Sequence, residues 1–159
     1  MKPMPTIDSA APMPPSDTAS GRHPRILYAD DIPELRALMS AVLAHEGYEV
    51  ETVDGGSEAL QRLREEQDHR GFDLLITDHQ MPGINGLELV RQTRELHYPG
   101  KIVVFSSGLS DEINAQYREF AVDAILPKPI FPVTFRRVLE ALFAADHPET
   151  GQIPPVAHA

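Results

Sequence analysis

The chain has 159 residues, carries 14 Lys and Arg against 24 Asp and Glu for a formal charge of −10, and contains no cysteine. That length suits one domain, the acidity argues against a dedicated binder of nucleic acid or anionic membrane, and the missing cysteine excludes disulfides, thiolate zinc sites and a cysteine nucleophile. Apolar runs of only a few residues exclude a transmembrane helix, and prolines and Asp8 interrupt the place where a secretory signal would need its apolar core, so a cytoplasmic location is expected.

Six of the 15 prolines lie in residues 1–24 and three more in 148–159. Segment 1–23 is rich in Pro, Ala and Ser and segment 146–159 in Pro and Ala, neither has a helical or strand period, and both are expected to be disordered tails. Residues 24–145 hold 12 basic and 20 acidic side chains, so the acidity belongs to the expected domain.

Within it, Arg25–Ala29 is a short apolar run that ends in Asp30-Asp31. Leu35, Leu38, Met39, Val42 and Leu43 then recur at helical spacing, with Pro33 in the first turn and Gly47 past the end. Tyr48–Val53 alternates like a half-buried strand, and Ser57–Glu66 predicts a second helix through Ala59, Leu60 and Leu63. Phe72–Thr77 is apolar with little alternation, as in a central strand covered on both faces. A helix over Leu87–Glu95 follows Asn85-Gly86. Lys101–Phe105 is a second buried strand, Asp111–Phe120 a helix capped by Ser110, Ala124–Leu126 a short strand, and Phe135, Val138, Leu139 and Leu142 stripe a last helix. Five strands alternating with five helices predict an α/β fold, a parallel sheet covered on both faces.

Sites in such sheets lie beyond the carboxyl ends of the strands. Here those ends hold Asp30-Asp31, Asp78, Ser106-Ser107 and Lys128-Pro129. Three converging carboxylates repel one another unless a cation intervenes. A hard divalent ion such as Mg²⁺ accepts carboxylate and phosphate oxygens together. The Lys128 ammonium and the Ser106 hydroxyl can meet a phosphoryl group, and an aspartate can serve as its nucleophile. Taken singly, each residue has a plainer reading. Asp30-Asp31 could cap the first helix, Asp78 could be a turn aspartate, and Ser106 and Lys128 could be ordinary strand-end residues. It is their joint occurrence at four strand ends that points to phosphoryl chemistry.

Tyr-Ala-Asp-Asp at 28–31, Asp78-His-Gln-Met-Pro-Gly with Gly86, Phe-Ser-Ser at 105–107 and Lys-Pro at 128–129 together resemble the receiver domains of two-component response regulators. The resemblance covers residues 25–143. It implies a flavodoxin-like doubly wound sheet of order 2-1-3-4-5. It also implies that Asp78 accepts a phosphoryl group from a phosphohistidine of a sensor histidine kinase or phosphotransfer protein. Mg²⁺, for which Mn²⁺ can substitute, would be held by Asp31, Asp78 and the backbone carbonyl of Gln80, with Asp30 acting mainly through water. Lys128 would pair with the phosphoryl group, Ser106 would move to bond it, and the bond before Pro129 would be cis. The signalling surface would comprise the fourth helix, fifth strand and fifth helix, which also offers a place for a weak homodimer.

Two positions depart from the family pattern. Ile125 stands where an aromatic switch residue is usual, and His79 follows the phosphoacceptor where an apolar residue is commoner. The seven histidines show no i, i+4 pair and read as surface or linker residues; Tyr117 and Phe120 read as packing. Gly55-Gly56 lacks the Lys-Ser or Lys-Thr of a nucleotide-binding loop. No DNA-binding, cyclase or phosphodiesterase pattern follows residue 145, so a stand-alone regulator is expected, without turnover as an enzyme, acting through a partner protein or passing phosphoryl groups onward. The alternatives are a receiver piece of a larger hybrid kinase and an aspartate-nucleophile phosphohydrolase. The latter usually has a second aspartate where this chain has Gln80.

Overall fold

The computed structural model describes residues 23–144; the expected tails at 1–23 and 146–159 lie outside the described residues, apart from His23. The elements are β1 (Arg25–Ala29), α1 (Pro33–His45), β2 (Glu49–Val53), α2 (Gly56–Glu65), β3 (Leu74–Asp78), α3 (Gly86–Glu95), β4 (Lys101–Ser106), α4 (Asp111–Glu119), β5 (Ala124–Pro127) and α5 (Pro132–Ala144). All strand pairs are parallel, in the order β2-β1-β3-β4-β5. The fold is thus the doubly wound sheet the sequence predicts.

Strand alternation explains why both faces must be covered. Leu27 and Ala29 of β1 point into one core with Leu75 and Val104, under Leu60 and Leu63 of α2 and Leu89 and Val90 of α3. Ile26 and Tyr28 point into the other, with Ile76, Val103 and Phe105, under Met39 and Leu43 of α1 and Phe135 and Leu139 of α5. β3 is buried at every position, which is why its sequence lacks alternation. Each fully buried Leu, Ile or Phe contributes about 1.5–3 kcal/mol relative to exposure, so the two layers hold the sheet from both sides.

The α1 stripe is narrower than its spacing predicts. Met39 and Leu43 are buried, but Leu38 is 57% exposed, because β2 and α5 contact only one side of this helix. Nor does either aspartate cap α1 as a side chain. The residue at the cap is Ile32, and Asp30 instead accepts a hydrogen bond from the Ile32 N–H. Asn85 and Ser110 do cap α3 and α4, accepting from the N–H groups of Glu88 and Ile113.

One glycine decides how closely the layers meet at the carboxyl edge. A Cβ on Gly86 would lie 2.6 Å from the Asp78 carbonyl oxygen and 2.9 Å from the Tyr117 hydroxyl. Gly86→Ala must therefore push α3 or α4 away. Its expected cost is about 1–3 kcal/mol, the range for overpacking a tight site, measured as a lower urea midpoint at unchanged slope.

Candidate functional site

Parallel pairing places every strand's carboxyl end on one edge, and the register sets the heights there. Tyr28 pairs with Ile76 and Asp78 with Phe105, so Asp30, Asp78 and Ser106 end adjacent strands at similar levels. One carboxylate oxygen from each of Asp30, Asp31 and Asp78 lies within 4.8 Å of the others. Asp30 is fully buried and Asp78 nearly so, while Asp31 opens toward solvent.

The buried charges are met individually. Lys128 Nζ lies 2.7 Å from Asp78 Oδ1. β5 delivers the lysine: its last residue, Pro127, pairs with Ser106, the Lys128 N–H donates to the Ser106 carbonyl at 2.8 Å, and the Lys128–Pro129 peptide is cis. The Tyr28 hydroxyl donates to Asp30 Oδ2 at 2.6 Å, and the Ile32 N–H donates to Oδ1 at 2.9 Å. The Arg36 guanidinium reaches back from α1 to the Asp30 main-chain carbonyl at 2.6 Å. Ser106 is buried, and its Oγ accepts from the Gly108 N–H at 3.0 Å, leaving the hydroxyl proton free to donate elsewhere. Gln80 is exposed in the loop after Asp78. Ile125 is half-buried on β5 opposite Val104.

Electrostatics follow from this packing. Burial raises the affinity of Asp78 for a proton; Lys128 opposes the rise, and the carboxylates of Asp30 and Asp31 reinforce it. Burial holds the His79 ring toward its neutral form against the pull of Asp78. The Tyr28 hydroxyl is held firmly protonated by burial and by the bonded Asp30 carboxylate.

Reading all histidines as surface or linker residues misses His79. It is half-buried, and its Nδ1 lies 2.5 Å from the Tyr117 hydroxyl on α4. No local signal could have shown this pair, which is 38 residues apart. The Tyr28–Asp30 bond was legible in principle, since residues two apart on a strand share a face.

The raised proton affinity of Asp78 has a consequence for stability. A folded-state pKa above the unfolded value means that stability falls as pH rises through the folded pKa, so the ionised carboxylate weakens the fold at neutral pH. Asp78→Asn is expected to raise the urea midpoint at pH 7 in chelator. The advantage over the wild type should shrink on acidification as the wild-type carboxyl takes up its proton. An equal or lower midpoint for the variant at pH 7 would contradict the burial argument.

Comparison with known proteins agrees with this geometry. Residues 26–140 match the family model for the response regulator receiver domain. The chain is 34% identical over 105 residues to the transcriptional regulatory protein CpxR homolog of Haemophilus influenzae, covering 66% of this chain and 44% of that protein. It is 32% identical over 121 residues to the two-component response regulator ORR5 of Oryza sativa subsp. japonica, covering 74% of this chain and 87% of that one. The solved structure of the Vibrio cholerae chemotaxis protein CheY4 is similar at a TM-score of 0.67 and 30% identity, covering 76% of this chain and 98% of that one. The chain thus spans less than half the length of the CpxR homolog but most of ORR5 and CheY4. With its sheet in the order β2-β1-β3-β4-β5 and its match over residues 26–140, the chain belongs to the receiver domains of response regulators.

Proposed function

We propose that the domain accepts a phosphoryl group on Asp78 from the phosphohistidine of a histidine kinase or phosphotransfer protein, and that the modified form changes its grip on a partner protein. One observation carries this reading: the Asp78 carboxylate is paired with Lys128 at 2.7 Å and lies among two further carboxylates.

The residues fit a hard divalent cation. Their donors are all oxygens, and three carboxylates facing one lysine leave an excess of negative charge. Asp31 and Asp78 would hold the ion with the backbone carbonyl of Gln80. Both Asp30 oxygens already accept a hydrogen bond, which suits it to an indirect role through water. Bound there, Mg²⁺ would neutralise charge on the phosphoryl oxygens.

The chain's own groups do the rest. An Asp78 carboxylate oxygen attacks phosphorus, the P–N bond of the donor breaks, and the leaving imidazole takes a proton from solvent. The Lys128 ammonium, now beside Asp78, stays with the charge that moves onto the phosphoryl oxygens. The Ser106 hydroxyl proton, not committed to Gly108, is available to a phosphoryl oxygen. Phosphorylation adds charge and acceptors at this edge, and the α4–β5–α5 surface is the route by which a partner would sense it. The family is a signalling module, and the domain would act as a stand-alone switch or relay in the cytoplasm. No helix among the described residues is long and apolar enough to cross a membrane.

Intact mass after incubation with Mg²⁺ and acetyl phosphate tests this directly. The wild type should gain one alkali-labile phosphoryl group; Asp78→Asn and chelator-treated wild type should gain none. Lys128→Met should slow the gain by on the order of 10²-fold, the usual penalty for removing one electrostatic contact to a reacting centre. Phosphorylation of the Asp78→Asn variant at the wild-type rate would refute the assignment.

Mg²⁺ should also stabilise the folded chain, by about 2.7 kcal/mol at a concentration 100 times its dissociation constant. A thermal melt in Mg²⁺ against chelator reads this out, and Asp31→Asn should lose most of the shift.

A further inference from the structure

We propose that the hydrogen bond between His79 and Tyr117 is the mechanical link from the phosphoacceptor to α4, with Tyr117 a positioning residue that acts through His79. The inference rests on the receiver reading above.

Four observations point to it. Tyr117 is the one fully buried side chain of α4; Ile113 and Phe120 are only partly covered, and the rest of the helix is half-buried or exposed. The seating of α4 therefore depends on this ring more than on any other group in the helix. Second, the Tyr117 hydroxyl is 2.5 Å from Nδ1 of the residue directly after Asp78, and the two rings meet edge to face with centroids 5.6 Å apart. Third, the site is shaped around that hydroxyl, since even the smallest side chain at position 86 would come within 2.9 Å of it.

Fourth, the His79 backbone is clamped on both sides. Its N–H donates to the Phe105 carbonyl at 2.9 Å, and its carbonyl accepts from the Gly86 N–H at 2.8 Å. A displacement of the Asp78–His79 peptide would therefore be carried outward by the ring. A buried hydroxyl that loses its partner is destabilised, so α4 must follow the ring or adopt another seat.

This also accounts for Ile125. An aliphatic side chain there has no polar atom with which to report a change at the site. It packs against the same apolar cluster as Tyr117, so the aromatic ring with a hydroxyl, missing from β5, is supplied to that cluster by α4. A ligand shifts an equilibrium only through contacts that differ between two states. The His79–Tyr117 bond is such a contact. By linkage, a partner that binds α4 would in turn alter the affinity of the Asp78 site for its ligand.

Hydrogen exchange of the α4 amides in the full chain, with Mg²⁺ and with or without beryllofluoride as a phosphoryl mimic, tests the proposal. In the wild type the mimic should change exchange across residues 111–119 by about fivefold or more, and in Tyr117→Phe and His79→Asn the change should fall below about twofold, with beryllofluoride still bound. Tyr117→Phe keeps the ring, so a packing role alone would leave the response intact. His79 is only half-buried, so its variant keeps the test decisive if the tyrosine variant fails to fold. A wild-type α4 response in either folded variant overturns the proposal. So does a wild type that binds the mimic with no change at α4. A wild type that does not bind the mimic overturns the receiver reading, and this inference with it.

Discussion

The ion pair between Asp78 and Lys128 is the contact on which the carboxyl edge depends. A buried carboxylate without a partner would shed its charge by binding a proton, and a protonated Asp78 is a poor nucleophile. The lysine arrives from the far strand of the sheet, β5, across β4. The pair therefore exists only when the whole parallel sheet has assembled in register. Removing Lys128 would leave Asp78 a desolvated, unpaired charge, which costs far more than the intact pair contributes, whereas the lysine, 23% exposed, can turn to water when the carboxylate is removed.

Around this pair the fold spends hydrogen bonds to keep negative charges close together. Asp30 is fully buried, yet a tyrosine hydroxyl and a main-chain N–H each hold one of its oxygens. Tyr28 does double duty, because its ring also packs against Phe105, with centroids 5.9 Å apart, and Phe105 in turn meets Phe135 of α5 at 5.5 Å. One aromatic chain therefore runs from the acidic cluster to α5 on one face of the sheet. On the other face, His79 and Tyr117 run from the same cluster to α4. The two helices that flank β5 are thus each tied to the site by a ring that carries or touches a polar group.

Much of this was legible in the sequence. Apolar runs, caps and the order of elements were readable because strand burial and helix periodicity are local patterns. The boundaries moved by a residue or two, as with β3, which starts at Leu74 and runs through Asp78. The site residues were readable for a related reason: in a parallel sheet every strand end faces the same edge, so position after a strand is already a spatial statement. Leu38 lies on the apolar stripe yet faces solvent, because periodicity says which residues share a stripe but not how wide a neighbour covers it.

By itself, then, the sequence determined the class of fold, the set of groups that meet at the carboxyl edge and the absence of an aromatic ring at position 125. Only the tertiary structure decided how those groups are partnered. The Lys128–Asp78 contact, the hydrogen bond to each Asp30 oxygen and the burial of His79 against Tyr117 join residues far apart in the chain or depend on main-chain direction. Residue type states what a side chain can donate or accept; which partner it finds is set by strand register and helix seating, and those are properties of the packed whole.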